Sequence, residues 1–206
     1  MSKAGQVYEN PVTGERVVIR LGTEESDGEH LVADLYVASG GAVAGEHVHQ
    51  DLEETFTVLR GSVGFRLDGR EDIAQPNHEL VVSPGVIHDW WNAGEEEAHV
   101  VVELHGQVGR LRRFEMMIST LYGLARDGKT DAKGRPHVLQ ASLLAREFAD
   151  VIVFTTPPRF VQRLLFGGLA PVARLLGYRA AYPHYGPSGS VEVGPLHDVA
   201  PAGPSQ

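Results

Sequence analysis

The chain has 206 residues, a formal net charge of −9 and no cysteine. This length is enough for one domain with its own core, and the lack of cysteine excludes disulfides, thiolate nucleophiles and cysteine-bound metals. The negative charge disfavours nonspecific binding of nucleic acid. Because the first residues are polar and lack the apolar core of a secretory signal, we expect a cytoplasmic protein.

The charge changes sign along the chain: residues 1–106 carry −14 and residues 107–185 carry +7. The change coincides with a shift from a β-like to a helix-like pattern. We therefore expect a β-barrel over 1–108, a helical extension over 109–185 packed on the barrel or on a dimer partner, and an irregular or disordered tail over 186–206. Electrostatic attraction between two layers explains the split, and a basic face that meets an anionic partner is the alternative.

Short β-rich runs separated by glycine turns fill the first half of the chain. They lie at residues 16–21, 31–38, 54–60, 62–67, 79–84, 86–92 and 98–106. Many short strands without a helical period predict an antiparallel sandwich or barrel.

After Gly109 the apolar residues adopt helical spacing. This pattern predicts amphipathic helices over 111–126 and 139–153. A third stretch, 159–182, is basic and amphipathic, and the glycine pair before Pro171 predicts that it forms two short helices. We expect it to pack against the barrel or a second subunit. A membrane-surface helix or a lid over the barrel mouth is the alternative, and its apolar run is too short to span a bilayer, which needs about 20 residues.

The residues with the clearest chemistry lie between Gly41 and Gly61. His47 and His49 are two residues apart, which places both imidazoles on one face of a strand. Glu54 follows after a turn and shares an inward face with Phe56, whereas the parity of Glu53 directs it outward. Two imidazoles and a carboxylate that converge in this way predict a metal site.

A fourth ligand is expected from a later strand. His88 follows a Pro-Gly turn, and Trp90 and Asn92 share its face by the period of two. Three imidazoles and one carboxylate suit one divalent transition metal, namely Fe, Mn, Ni, Co or Zn, and leave positions for water, oxygen or substrate. Trp90 and Phe56 are candidates for the substrate pocket, with ordinary packing as the alternative for each.

The spacing of these residues resembles the two sequence motifs of the cupin superfamily. The first motif, G-x5-H-x-H-x4-E-x6-G, is met at every position by Gly41, His47, His49, Glu54 and Gly61. It also selects Glu54 over Glu53. In the second motif, Gly85, His88 and Asn92 match, whereas the proline lies next to the glycine instead of two residues before it.

This resemblance covers about residues 30–105 and implies a small antiparallel double-stranded β-helix, the jelly-roll or cupin barrel, with a metal inside its mouth. The metal would be bound by His47, His49, Glu54 and His88. The whole chain resembles bacterial single-domain cupins with a helical C-terminal extension, which refines the fold and not the function. The resemblance to cupins also implies a homodimer.

We expect a metal-dependent enzyme that acts on a small organic substrate, enolisable or aromatic. With a redox-active metal, a dioxygenase reaction is favoured, and with Zn an isomerase or polyketide cyclase reaction is favoured. Glu54 either remains a metal ligand or acts as the catalytic general base. A non-catalytic small-molecule-binding or sensor protein is the alternative from another class.

Overall fold

The computed structural model of the chain describes residues 1–41 and 45–194. Residues 42–44 of the first motif and residues 195–206 of the expected tail lie outside this range. The strands are β1 (Gln6–Asn10), β2 (Glu15–Leu21), β3 (His30–Val37), β4 (His47–Val48), β5 (Leu52–Arg60), β6 (Val63–Leu67), β7 (Arg70–Ala74), β8 (Glu79–Val82), β9 (Ile87–Asn92), β10 (Ala98–Gly106), β11 (Val153–Phe154) and β12 (Gly189–Ser190). The helices are α1 (Arg110–Arg126), α2 (Val138–Glu147) and α3 (Arg159–Leu175).

The strands form two antiparallel sheets that enclose a core. One sheet has the order β12-β1-β2-β3-β10-β5-β8, and the other has the order β11-β4-β9-β6-β7. Side chains that alternate inward along the strands fill the space between them, with Phe56, Val58, Val63 and Val100 at most 2% exposed. The expected antiparallel cupin barrel, followed by helices, is confirmed. The sequence pattern missed β1, β7, β11 and β12.

Helix α1 covers one end of the barrel. Its observed bounds agree with the predicted helix, and its apolar side, which includes Phe114 and Ile118, packs on the barrel core. Glu115 fastens the helix to the start of the chain, because its buried carboxylate accepts hydrogen bonds from the Ser2 backbone amide at 3.2 Å and from Thr23 Oγ1 at 2.7 Å. The barrel therefore has a fixed cap.

The predicted second helix is too long at its C-terminal end. Helix α2 ends at Glu147, and the chain turns at Phe148, whose carbonyl accepts hydrogen bonds from the amides of Val151 and Ile152. Residues 153–154 then form β11, which pairs with β4. The physical reason is tertiary: a β-branched segment gains more by adding hydrogen bonds to a sheet edge than by extending an exposed helix.

The predicted break in the third helix is wrong, because α3 is continuous through Pro171. Packing overrides the local preference here, since Ala170 and Ala173 are fully buried against Leu143 of α2. Large apolar side chains remain exposed on α3 and its C-cap: Phe160, Leu164, Leu165, Val172, Leu175 and Leu176. Within the described residues, no helix combines the length and the apolar character required to span a bilayer.

Candidate metal centre

The structure brings together the four predicted ligands at the capped end of the barrel. One possible ligand atom from each of His47, His49, Glu54 and His88 lies within 4.8 Å of the others, and all four residues are buried. His47 pairs directly with His88 across β4 and β9, whereas Glu54 lies on β5 in the opposite sheet. The cluster therefore bridges the two sheets, and its geometry depends on the closed barrel.

Each imidazole is held at its Nδ1 atom by a backbone carbonyl. The carbonyl oxygens are those of Gly45 for His47 at 2.7 Å, Val151 for His49 at 2.7 Å and Val86 for His88 at 3.0 Å. Because a carbonyl only accepts hydrogen bonds, Nδ1 carries the proton in each ring. The Nε2 atoms are left to face the interior of the cluster, which is the usual arrangement of metal-binding histidines.

The Nε2 atom of His49 tests whether these residues fit a metal ion. It is buried, lies 3.5 Å from Glu54 Oε1, and has no hydrogen-bond partner among the residues that the structure describes. A buried unsatisfied nitrogen of this kind is costly. Coordination of a cation would satisfy it, and the donor set of three imidazoles and a carboxylate suits a divalent transition metal. The residues present therefore fit a metal.

The protonation states of the cluster also favour a bound cation. Burial, reinforced by the neighbouring imidazoles, lowers the pKa of His47 to about 3, so this ring is neutral and available as a ligand. Burial alone would raise the pKa of Glu54, but the imidazoles outweigh it and hold the pKa at about 2. His88 differs from the other two rings, because a second proton on its Nε2 donates to Glu54 Oε2 at 3.0 Å, and this contact raises the pKa of His88 against the effect of burial. A bound metal would take the place of that proton.

A cavity of about 120 Å³, here called the inner cavity, adjoins the cluster. His47, His49 and Glu54 line one part of it, and the predicted pocket residues Phe56 and Trp90 line it as well. Most of the remaining wall is apolar and comes from the barrel and from α1: Val17, Ile19, Leu31, Ala33, Leu35, Val102, Leu104, Phe114, Met117, Ile118 and Leu121. The helix that closes the cavity is α1 and not the third stretch that the sequence offered as a lid.

The other side chains near the second motif have structural contacts. The Asn92 amide donates to the carbonyl oxygens of Val37 at 2.9 Å and Glu96 at 2.7 Å, so it holds the turn after β9. Trp91 faces outward and lies across Gly64, where an added Cβ atom would be 2.3 Å from the indole ring. Trp91 therefore packs on the neighbouring strand β6 and not beneath the helices.

A buried polar pair that was not predicted from the sequence, Glu15 and Tyr122, also lines the inner cavity. Thr13 Oγ1 donates to Glu15 Oε2 at 2.5 Å, and Tyr122 also hydrogen-bonds this carboxyl. Burial raises the pKa of Glu15, with both hydrogen bonds opposing the rise. The sequence does indicate that Glu15 points inward, because it has the same strand parity as Val17 and Ile19, which also line the cavity.

A second group of possible metal ligands occurs in the described residues: His30, Glu103 and His105. It lies at the paired ends of β3 and β10, and none of the three is fully buried. The rings of His30 and His105 stack at 4.0 Å, so they already contact each other. The four-residue cluster is the stronger candidate because it is enclosed and adjoins a cavity.

Part of the chain is similar to known proteins. A family model described as "Cupin domain" matches residues 35–103. A "predicted oxalate decarboxylase" from Thermotoga maritima is 18% identical, with 52% of this chain and 95% of that chain covered and a TM-score of 0.45. The Schizosaccharomyces pombe Cnp3 cupin domain is 10% identical, with coverages of 52% and 73% and a TM-score of 0.43. The comparison with curated proteins gives no match.

A "sugar phosphate isomerase from a cupin superfamily" of Silicibacter pomeroyi is also similar, with 17% identity, coverages of 51% and 70%, and a TM-score of 0.42. At these levels of identity and overlap, the activities named for those proteins are not assigned to this chain. The family model is independent of them and includes all four candidate ligands. Residues 35–103 of the 206 residues are therefore similar to the cupin domain family.

Proposed function

We propose that the protein is a metal-dependent enzyme that acts on a small organic substrate in the inner cavity. One divalent transition metal would be held by His47, His49, Glu54 and His88. The observation that carries this proposal is the environment of His49, whose Nδ1 is fixed by the Val151 carbonyl while its buried Nε2 has no hydrogen-bond partner among the described residues. A purely structural barrel has no need for this costly arrangement.

The favoured reaction is a dioxygenase-type oxidation of an enolisable or aromatic molecule. When bound, the metal would supply Lewis-acid polarisation of substrate oxygens and, if it is Fe, Mn, Co or Ni, redox chemistry as well. The apolar walls of the inner cavity support this choice, because they accept aromatic rings and molecular oxygen without a desolvation cost. Phe56 and Trp90, whose ring centroids are 5.7 Å apart, would orient a planar substrate from the cavity floor.

The second candidate reaction is isomerisation or cyclisation of a polyketide-like substrate without oxygen. It is favoured by the Glu15–Tyr122 pair, because burial raises the pKa of Glu15, which is the direction that suits a general acid. Glu54 is the candidate proton acceptor, since its low pKa leaves it ionised. Both carboxyl groups line the inner cavity, where they would reach one small substrate.

Oxygen uptake during turnover tests these readings. The metal-free protein is loaded with Fe²⁺ or Mn²⁺ and mixed with a panel of enolisable aromatics, and oxygen and substrate are followed together in the wild type and in His49→Ala. Consumption of oxygen together with substrate by the wild type, but not by His49→Ala, supports the dioxygenase. Conversion without oxygen uptake, together with solvent deuterium in the product and a large loss in Glu15→Gln, supports the isomerase or cyclase. Tight binding of a compound that is recovered unchanged, with a bound metal, would indicate the sensor class and refute an enzyme.

A further inference from the structure

A second and larger cavity, here called the outer cavity, lies between the barrel rim and the helical extension. Its volume is about 760 Å³, within the usual range for small-molecule sites. Its wall includes Asn10 and Gln50 from the barrel, and Ala145, Gln162 and Phe166 from α2 and α3. The sequence analysis did not predict this cavity, because it depends on how three helices pack over the barrel.

The outer cavity concentrates positive charge. Lysine or arginine side chains enter its wall from three segments: Lys133, Arg135, Arg146, Arg159 and Arg163. The Nη1 atom of Arg146 on α2 lies 3.6 Å from where a Cβ atom would stand at Gly167 of α3, so this guanidinium reaches the facing helix. Glu15 is the single acidic residue in the described wall.

These charges have few partners within the described parts of the chain. Arg135 pairs with Asp131 at 2.7 Å, whereas Lys133, Arg146, Arg159 and Arg163 form no ion pair with a described residue. The cations of residues 107–185 also form few ion pairs with the acidic residues of the barrel. Among the described residues, Arg110 alone makes such a pair, with Asp51. Like charges that face one cavity repel each other, and an anion bound there would remove the repulsion.

The outer and inner cavities share a wall. The residues common to both are Glu15, Met117, Ile118, Leu121, Tyr122, Ile152 and Phe154. Most of them are apolar side chains of α1 and of the segment before β11. An amphipathic ligand would therefore meet cations at one end, apolar side chains next, and the histidine cluster beyond them.

We propose that the outer cavity binds the anionic group of the substrate, a carboxylate or a phosphate monoester, and that the apolar body of the substrate lies along the residues shared by the two cavities and points towards the inner cavity. Arginine is suited to this role because its planar guanidinium donates two parallel hydrogen bonds to either group. The inference deepens the proposed function and rests on it only in taking the inner cavity as the place of reaction.

Binding of matched aromatic probes to the metal-free protein tests the inference. The probes are 2-naphthoate, 2-naphthyl phosphate and the neutral 2-naphthalenemethanol, which share one apolar body, and calorimetry measures their dissociation constants. We expect at least one anion to bind roughly tenfold or more tightly than the alcohol. Preference for the carboxylate identifies an organic acid as the substrate class, and preference for the phosphate identifies a phosphate ester.

Variants of α3 locate the binding site. The double variant Arg159→Gln/Arg163→Gln is expected to weaken binding of the anion roughly tenfold and to leave the alcohol unchanged. The matched control is Arg174→Gln, because Arg174 is exposed on the same helix and is not part of the outer cavity wall. If the double variant melts at a lower temperature than the wild type, Arg146→Gln on α2 replaces it.

Three results would overturn the inference: no binding of either anion, equal affinity for the anions and the alcohol, or equal weakening by Arg174→Gln and the cavity variants. None of these depends on a bound metal, since all the measurements use metal-free protein. The proposal of a metal-dependent function would be refuted by a separate result, namely the same metal content in the purified protein and in its His49→Ala variant.

Discussion

Replacing Phe148 with alanine is expected to weaken metal binding, although Phe148 is not one of the candidate ligands. Phe148 is 1% exposed and packs with Met117, Leu124, Leu144 and Ile152 between α1 and α2. Its backbone starts the turn that presents the Val151 carbonyl to His49. Loss of the ring therefore loosens the support behind one imidazole of the cluster.

The size of the effect follows from the burial of the ring. Replacement of a fully buried phenylalanine by alanine costs about 3–5 kcal/mol in the free energy of unfolding. Loss of an outer hydrogen-bond partner of a metal ligand lowers metal affinity roughly tenfold to a hundredfold. We expect both losses in Phe148→Ala, because the packing that stabilises the turn also fixes the carbonyl of Val151.

Urea unfolding of the metal-free protein and competition with a chelator for Zn²⁺ measure the two quantities. Phe160→Ala is the matched control, since Phe160 is 67% exposed on α3, and it should change the unfolding free energy by less than about 0.5 kcal/mol. An unchanged Zn²⁺ affinity in a destabilised Phe148→Ala protein would refute the coupling between the helical extension and the cluster.

Two further predictions concern pH and glycine. Because burial and the neighbouring imidazoles lower the pKa of His47 to about 3, the unfolded chain takes up more protons than the folded one between roughly pH 3 and 6.5. The free energy of unfolding of the metal-free protein should fall on acidification through this range, and less steeply in His47→Gln; equal slopes would contradict the assignment. Gly64→Ala should cost about 1–3 kcal/mol because of the Trp91 contact, whereas Gly168→Ala, with no atom within 4 Å of its Cβ position, should gain about 0.5–1 kcal/mol in α3. Thermal unfolding measures both changes, and a shift of the melting temperature in the same direction for the two variants would refute this prediction.

The sequence predicted the cluster well because its geometry is local to a few strands. A spacing of two residues fixes His47 and His49 on one face, and strand parity separates Glu54 from Glu53. The position of His88 followed from its motif, and the structure pairs it with His47 across two strands. That these residues bind a metal stays a prediction, since the structure shows only that they converge.

The parts that the sequence did not predict depend on contacts between distant segments. The residues of β11 carry an apolar pattern that also suits a helix, and the free edge of β4 decides the outcome. Pro171 would break an isolated helix, but burial of Ala170 and Ala173 against α2 keeps α3 continuous. The outer cavity likewise arises only when α1, α2 and α3 meet over the barrel.

The charge split between the two halves of the chain is only slightly reflected in ion pairs between the barrel and the helices. The sequence analysis favoured attraction between an acidic barrel and a basic helical layer, yet only Arg110 makes an ion pair of that kind among the described residues. Several of the remaining cations instead line the outer cavity. This distribution is the observation on which the proposed anion site of the outer cavity rests.

The central claim is that His47, His49, Glu54 and His88 hold one metal ion. The most direct test is elemental analysis of protein purified without added metal, for the wild type, His49→Ala and His78→Ala. His78 is exposed and is not one of the four candidate ligands, so its variant serves as the control. The account predicts about one transition-metal ion per chain in the wild type and in His78→Ala, and less than roughly a tenth of that in His49→Ala. A wild-type protein without bound metal, or a His49→Ala variant that retains it, would contradict the account.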